Sequence, residues 1–118
     1  MSESELARKH CQPCHGGTPT VGADEAARLS RQVPDWRIDE GRRLVRVFRF
    51  KDFAGPMALA NRIAGLAESE GHHPDLRVAW GRLEVELTTH AVKGLTENDF
   101  ILAAKIDQLL QSDSAAAG

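Results

Sequence analysis

The chain of 118 residues has no tyrosine, four phenylalanines and two tryptophans, so its core must be mostly aliphatic. Cysteine is as scarce. Cys11 and Cys14 are too few and too close together to staple a fold, which suits a reducing compartment. No run of 18 or more apolar residues occurs, so no membrane-spanning helix is expected. Met1 to His10 is charged and lacks the apolar segment of a secretory signal, which makes a cytoplasmic location the default. Positive charge is not in excess either. The net charge is -2 and the pI about 6.2, whereas a nucleic-acid-binding domain is usually basic. The glycines form no phosphate cradle and there is no nucleophile elbow.

What remains is the composition of one globular domain, 42% hydrophobic and 27% charged. Residues 1–22 are expected to be a flexible N-terminal tail, 23–111 a single domain, and 112–118 a frayed C-terminal tail. Within the first segment, Cys11-Gln-Pro-Cys14-His15 spells the C-x-x-C-H signature of c-type haem attachment. That chemistry needs export, and no signal peptide precedes it. His10, Cys11, Cys14 and His15 could also be weighed as a zinc clip, but zinc sites usually draw on two separated pairs of ligands. The reading kept is a loose tail with reactive thiols and no metal.

The rest of the chain alternates between two hydrophobic periods. Asp24 to Gln32 reads as a short helix ended by Pro34. Trp36 to Ile38 and Leu44 to Phe50 read as strands around an Asp39-Glu-Gly41-Arg turn. Asp52 can cap a long core helix over Phe53 to Glu70, whose Phe53, Met57, Ala60, Ile63 and Ala67 fall at helical spacing. Leu76, Val78 and Trp80, then Leu83, Val85 and Leu87, alternate as a strand pair. Thr96-Glu-Asn-Asp99 resembles a capping box at the start of a last helix. The order α-β-β-α-β-β-α has hairpins and no βαβ rhythm. It predicts an α+β fold, a four-stranded antiparallel sheet with helices packed on one face.

The stretch Glu68 to Asp75 carries the chemistry. Gly71 and Pro74 stop the helix, and His72 and His73 stand at the joint. Imidazole titrates nearest neutrality. With Gly81 at the first central position of a type II′ turn, the hairpin pairs Trp80 with Leu83, Val78 with Val85, and Leu76 with Leu87. Continued outward, this register places His73 opposite His90 and gathers three histidines. Glu68, four residues before His72, shares its helix face. Asp99 either closes the capping box or reaches the histidines. The leading chemical class is a cofactor-free acid–base lyase or isomerase. The rival is a non-catalytic protein-association module, which would not need the histidines to converge.

The motif Glu68-x-x-x-His72-His73-Pro74, followed by Trp80, Leu87-Thr88-Thr89-His90 and Gly94-Leu95-Thr96-x-x-Asp99-Phe100, resembles the pterin-4a-carbinolamine dehydratase family. Phe50-Lys51-Asp52-Phe53 belongs to the same likeness, which covers roughly Leu29 to Leu110. The resemblance implies dehydration of 4a-hydroxytetrahydropterin to quinonoid dihydropterin, without metal or cofactor, to recycle the pterin of aromatic amino-acid hydroxylases. By motif, His72 and His90 would be the acid–base pair and His73 would bind and orient the pterin. Glu68 and Asp99 would support the imidazoles. Gly71, Pro74, Thr88, Thr89 and Ala91 would line the substrate. A homodimer or homotetramer is implied. Leu76 and Arg77 replace aromatic residues of animal members, and Lys93 stands where many bacterial members have glycine.

Overall fold

The strands and helices follow from where apolar side chains can be hidden. In the computed structural model, which describes residues 5–13 and 16–117, a 3-10 turn at Leu6–Arg8 precedes α1 (Ala23–Ser30), β1 (Arg37–Asp39), β2 (Arg43–Arg49), α2 (Ala54–Glu70), β3 (Asp75–Ala79), β4 (Arg82–Leu87) and α3 (Glu97–Ala117). The strands form one antiparallel sheet in the order β1-β2-β4-β3. This is the α+β arrangement that the hydrophobic periods predict.

One face of the sheet carries the core. Leu83, Val85 and Leu87 of β4 are buried while Arg82, Glu84 and Glu86 alternate with them outside. Their partners across β2 are Phe48, Arg46 and Leu44. Leu59 and Ile63 of α2, together with Phe100, Ile101, Leu102, Ala103 and Ile106 of α3, complete the cluster. Ile63 is wholly buried, and each such side chain contributes about 1.5–3 kcal/mol relative to exposure. Arg46, opposite Val85, brings a cation onto the covered face. It meets Asp107 of α3 at 2.5 Å, where Trp36 Nε1 also donates at 2.9 Å. Burial pushes the Asp107 carboxyl up, and Trp36 and Arg46 offset only part of that.

Two turns set the ends of the hairpins. Glu40 and Gly41 both have positive φ, 52° and 68°, as the tight β1–β2 turn requires. The β3–β4 turn differs from the type II′ expectation. Gly81, with φ 73°, takes the second central position, and Ala79 pairs with Arg82. The register therefore pairs Val78 with Leu83 and Leu76 with Val85, two residues away from the predicted one. A shift of two preserves the faces, so the predicted core face stands while the predicted His73–His90 pairing does not.

Part of the expected loose tail is packed. Leu6 and Ala7 are buried, and Leu6 N–H donates to Gln32 Oε1 at 3.1 Å. Met1 to Ser4, Cys14 and His15 lie outside the described residues, and with them half of the weighed zinc clip. Among the described residues no cluster of three or more His, Cys, Asp or Glu could hold a metal ion, and no helix is long and apolar enough to cross a membrane. Helix α3 runs to Ala117, through residues for which fraying was expected, and Gly118 lies outside the described residues.

Candidate active site

The end of α2 presents the first two imidazoles. Gly71 takes a left-handed φ of 67°, and the N–H groups of Gly71 and His72 both return to Ala67 O, at 2.9 and 3.3 Å. Closing the helix on a glycine in this way turns the chain sharply. It sends His72 inward and leaves His73 on the surface. Each imidazole then faces its own carboxylate. His72 Nε2 lies 2.7 Å from Asp99 Oδ1, His73 Nε2 lies 2.5 Å from Glu68 Oε2, and His90 Nε2 lies 3.8 Å from Asp75 Oδ2. The last separation is an ion-pair distance and too long for a hydrogen bond.

The three pairs differ in burial. Asp99 is 0% exposed and His72 8%, whereas the His90 side chain is 73% exposed. Only the first pair is shielded from water, where a charge-assisted bond is strongest. Glu68 was expected to hold His72 from the same helix face. It holds His73 instead, because the left-handed Gly71 carries His72 away from that face.

Asp99 is a hub with both oxygens engaged. Oδ1 accepts from His72. Oδ2 accepts from Thr89 Oγ1 at 2.8 Å and from Thr96 N–H at 2.9 Å. Thr89 Oγ1, having given its hydrogen to Asp99, receives one from Thr96 Oγ1 at 2.8 Å. An ionised carboxylate only accepts, so His72 places a hydrogen on Nε2, and in the neutral imidazole the lone pair is then on Nδ1. The capping role and the histidine-orienting role of Asp99 thus coexist in one side chain.

Of the expected residues, Thr88 and His90 border a cleft of about 380 Å³, together with Arg42, Arg43, Asp75, Glu86 and Lys93. Thr88 Oγ1 donates to Arg42 O at 2.6 Å, which ties β4 to the β1–β2 turn. Thr89 is buried, with its hydroxyl spent on Asp99, so its side chain supports the Asp99 carboxylate. His90 and Ala91 are exposed on a short loop that Thr89 and Gly94 close by a pair of backbone hydrogen bonds at 2.9 and 3.4 Å. Lys93 in that loop has φ 54°, a left-handed conformation that favours glycine. Pro74 is half-buried just before β3. Sequence reasoning missed Asp75 and Thr96 as partners of the site. The capping-box signal pointed to Thr96, but nothing in the residue pattern singled out Asp75.

The sequence profile described as Pterin 4 alpha carbinolamine dehydratase matches residues 19–109. The chain belongs to this family. Two of the relatives that carry the name of a pterin-4-alpha-carbinolamine dehydratase illustrate the match. That of Rubrobacter xylanophilus is 47% identical over 106 residues, 90% of this chain and 99% of its own. That of Methylococcus capsulatus is 46% identical over 110 residues, 92% of this chain and 96% of its own. A crystal structure described as a transcriptional coactivator/pterin dehydratase from Brucella melitensis superposes with a TM-score of 0.71 and 32% identity, covering 77% of this chain and 98% of that one. A pterin dehydratase-like protein described as a RuBisCO assembly factor in the alpha-carboxysome gives a TM-score of 0.54 and 26% identity, over 64% of this chain and 88% of that one. His72, His73, His90 and Asp99 all fall inside the dehydratase match, while Leu6 to Gln12 lies outside it.

Proposed function

We propose that this chain dehydrates 4a-hydroxytetrahydrobiopterin, a pterin-4a-carbinolamine, to quinonoid dihydropterin and water by histidine general acid–base catalysis. The observation that carries this reading is the buried His72–Asp99 bond of 2.7 Å, which in the neutral imidazole leaves the lone pair on Nδ1. Loss of water needs a proton delivered to the departing hydroxyl on C4a and a proton taken from the adjacent ring nitrogen. The C4a–O bond breaks as the carbon–nitrogen double bond forms. In our assignment His72 Nδ1 accepts the ring-nitrogen proton. His90, open to water and therefore readily reloaded, supplies the proton to the hydroxyl. His73, held by Glu68, orients the pterin, with Gly71, Pro74, Thr88 and Ala91 at the walls. The scheme needs neither metal nor cofactor. Such positioned proton transfers contribute about 10²–10⁴-fold.

Within this reading the protein acts in the cytoplasm and restores pterin for an aromatic amino-acid hydroxylase. It works as a homodimer or homotetramer, and the exposed Phe53, Met57 and Trp80 are the apolar surface a second copy would cover. The rival, a non-catalytic association module, draws on the assembly-factor description of the pterin dehydratase-like structure. An association module has no use for a buried, tautomer-fixed histidine. The deciding experiment follows the decay of chemically generated 4a-hydroxytetrahydropterin with wild type, His72→Ala and His90→Ala. Acceleration by wild type that both variants lose supports the scheme. No acceleration by wild type removes the enzyme reading, and equal acceleration by all three removes the site assignment.

A further inference from the structure

We propose that the N-terminal segment Leu6 to Gln12 is a strap that holds the His72 and Asp99 segments in register, with Glu70 and Asn98 as positioning residues. The inference rests on the dehydratase reading for its kinetic consequence, but its geometric content is independent of it. His72 follows the last residue of α2, Glu70, by two positions, and Asp99 follows Asn98 directly in the first turn of α3. The strap binds both anchors. Cys11 N–H donates to Glu70 Oε1 at 2.8 Å, and His10 Nδ1 meets Glu70 Oε2 at 3.0 Å. One residue further, Gln12 N–H donates to Asn98 Oδ1 at 2.9 Å while Asn98 Nδ2 donates to Gln12 O at 2.6 Å. Cys11 Sγ donates to Asn98 O at 3.6 Å, and Lys9 Nζ meets Glu97 Oε2 at 2.8 Å.

The far end of the strap is anchored to the core. Leu6 and Ala7 are buried, and Lys105 of α3 donates to Ala7 O at 3.0 Å while lying 3.6 Å from Glu70 Oε2. Glu70 is nearly buried, with 7% of its side chain exposed. A buried carboxylate at the C-terminal end of a helix is disfavoured by the helix dipole as well as by desolvation. Its retention there is explained by the strap, whose donors it needs. The path from Cys11 and Gln12 to the His72–Asp99 bond is therefore one residue on the α3 side and two on the α2 side. Glu70 and Asn98, the side chains that receive Cys11 and Gln12, thus stand two positions and one position from that bond.

The test uses the full chain and three variants, Asn98→Ala, Glu70→Ala and Glu70→Gln. Two quantities are measured, the 15N and 1H resonances of the His72 ring in the free protein and the kcat and KM for 4a-hydroxytetrahydropterin. A sub-ångström loss of alignment in a reacting group costs on the order of tenfold or more in rate. We expect Asn98→Ala and Glu70→Ala to mix the two neutral tautomers of His72 and to lower kcat about tenfold, with KM changed less than about twofold. Glu70→Gln keeps the acceptor for Cys11 N–H and recovers most of both. If Asn98→Ala and Glu70→Ala lower the melting temperature yet leave the His72 resonances and kcat at wild-type values, the strap is a stabilising tail and the proposal is overturned. If wild type itself fails to accelerate the reaction, the dehydratase reading falls. The ring resonances still decide the strap, because they need no substrate.

Discussion

Asp99→Asn separates orientation from folding at this site. The substitution keeps the volume of a side chain that is 0% exposed, so no cavity opens. The amide oxygen can take the Oδ2 position and still accept from Thr89 Oγ1 and Thr96 N–H, which lie at 2.8 and 2.9 Å in the native protein. The amide NH2 then faces His72 Nε2 across the former 2.7 Å bond. Two donors cannot face each other, so the imidazole must move its hydrogen to Nδ1 and accept at Nε2. Hydrogen bonds to a charged group contribute roughly 1.5–3 kcal/mol and neutral ones roughly 0.5–1.5 kcal/mol. Three bonds change character but none is lost, so the expected destabilisation is about 1–3 kcal/mol, most of the native stability remaining. Activity should fall far more. His72 would then present a hydrogen where the scheme requires a lone pair, and the rate should drop by about 10²–10⁴-fold, the usual contribution of such a base. Asp99→Ala differs by leaving His72 Nε2–H, Thr89 Oγ1 and Thr96 N–H without their acceptor, and should cost about 3 kcal/mol or more. The assays are urea denaturation, decay of 4a-hydroxytetrahydropterin, and 15N resonances of the His72 ring. An Asp99→Asn protein that is folded, has the flipped tautomer and retains the wild-type rate would refute the assignment of His72 as base.

Three further outcomes follow from the packing. The Cys11 thiol is pushed up to about 12, by burial first and then by the Glu70 carboxylate, so the expected reactive thiol is an inert one. In a Cys14→Ser background it should react with iodoacetamide at neutral pH at least about tenfold more slowly than after unfolding, since the thiolate is the nucleophile. Glu70 is held below the usual carboxylate range. Burial opposes ionisation there, but the Cys11 N–H, His10 and Lys105 outweigh it. A depressed carboxylate contributes stability that is present above its unfolded value, about 4.3, and is lost as pH falls through the folded one. The urea midpoint of wild type should therefore fall more steeply below about pH 5 than that of Glu70→Gln, and parallel curves would remove this contribution. Within α2, Gly65→Ala meets open space and should stabilise by about 0.5–1 kcal/mol. A Cβ at Gly55 would sit 2.5 Å from Phe50 Cδ1 and 2.8 Å from Asp52 Oδ1, so Gly55→Ala should destabilise by about 1–3 kcal/mol. Thermal melts of the two variants shifting in the same direction would contradict this account.

How far the site could be read in the sequence depends on the scale of each step. The faces of the sheet were legible because period-2 alternation survives a two-residue slip. Leu83, Val85 and Leu87 face the helices whether the turn is centred on Trp80-Gly81 or on Gly81-Arg82. The partner of His90 was not legible, because that same slip moves a cross-strand neighbour by two positions. Gly81 was the right residue with the wrong place in the turn. At φ 73° it serves the second central position, which glycine permits as readily as the first. The tail was misjudged for a different reason. Gly16, Gly17, Pro13 and Pro19 signal irregular backbone correctly, but irregular is not unbound, and the backbone donors of Cys11 and Gln12 find side-chain acceptors 59 and 86 residues away. No local pattern encodes such partners.

Asp99 shows where the two kinds of inference meet. Sequence spacing offered a choice between a helix cap and a support for histidine, and treated the two as rivals. A carboxylate has two oxygens with lone pairs directed to different sides, so one side chain can do both when a donor stands at each. Thr96 N–H supplies one donor because every helix begins with unpaired N–H groups, and this is local. His72 supplies the other because Gly71 ends α2 on a left-handed residue and aims the next side chain at the start of α3, and this is global. The cap therefore anchors the carboxylate within its own helix, and the histidine it orients arrives from another. The precision with which α2 ends sets the geometry of the proposed base. A Gly71→Ala protein should accordingly lose more than the roughly 1 kcal/mol of a left-handed alanine. It should also lose dehydratase activity beyond what its remaining folded fraction explains, as read from the rate at a urea concentration where both proteins are fully native. A rate that merely tracks the folded fraction would detach the helix ending from the alignment of His72.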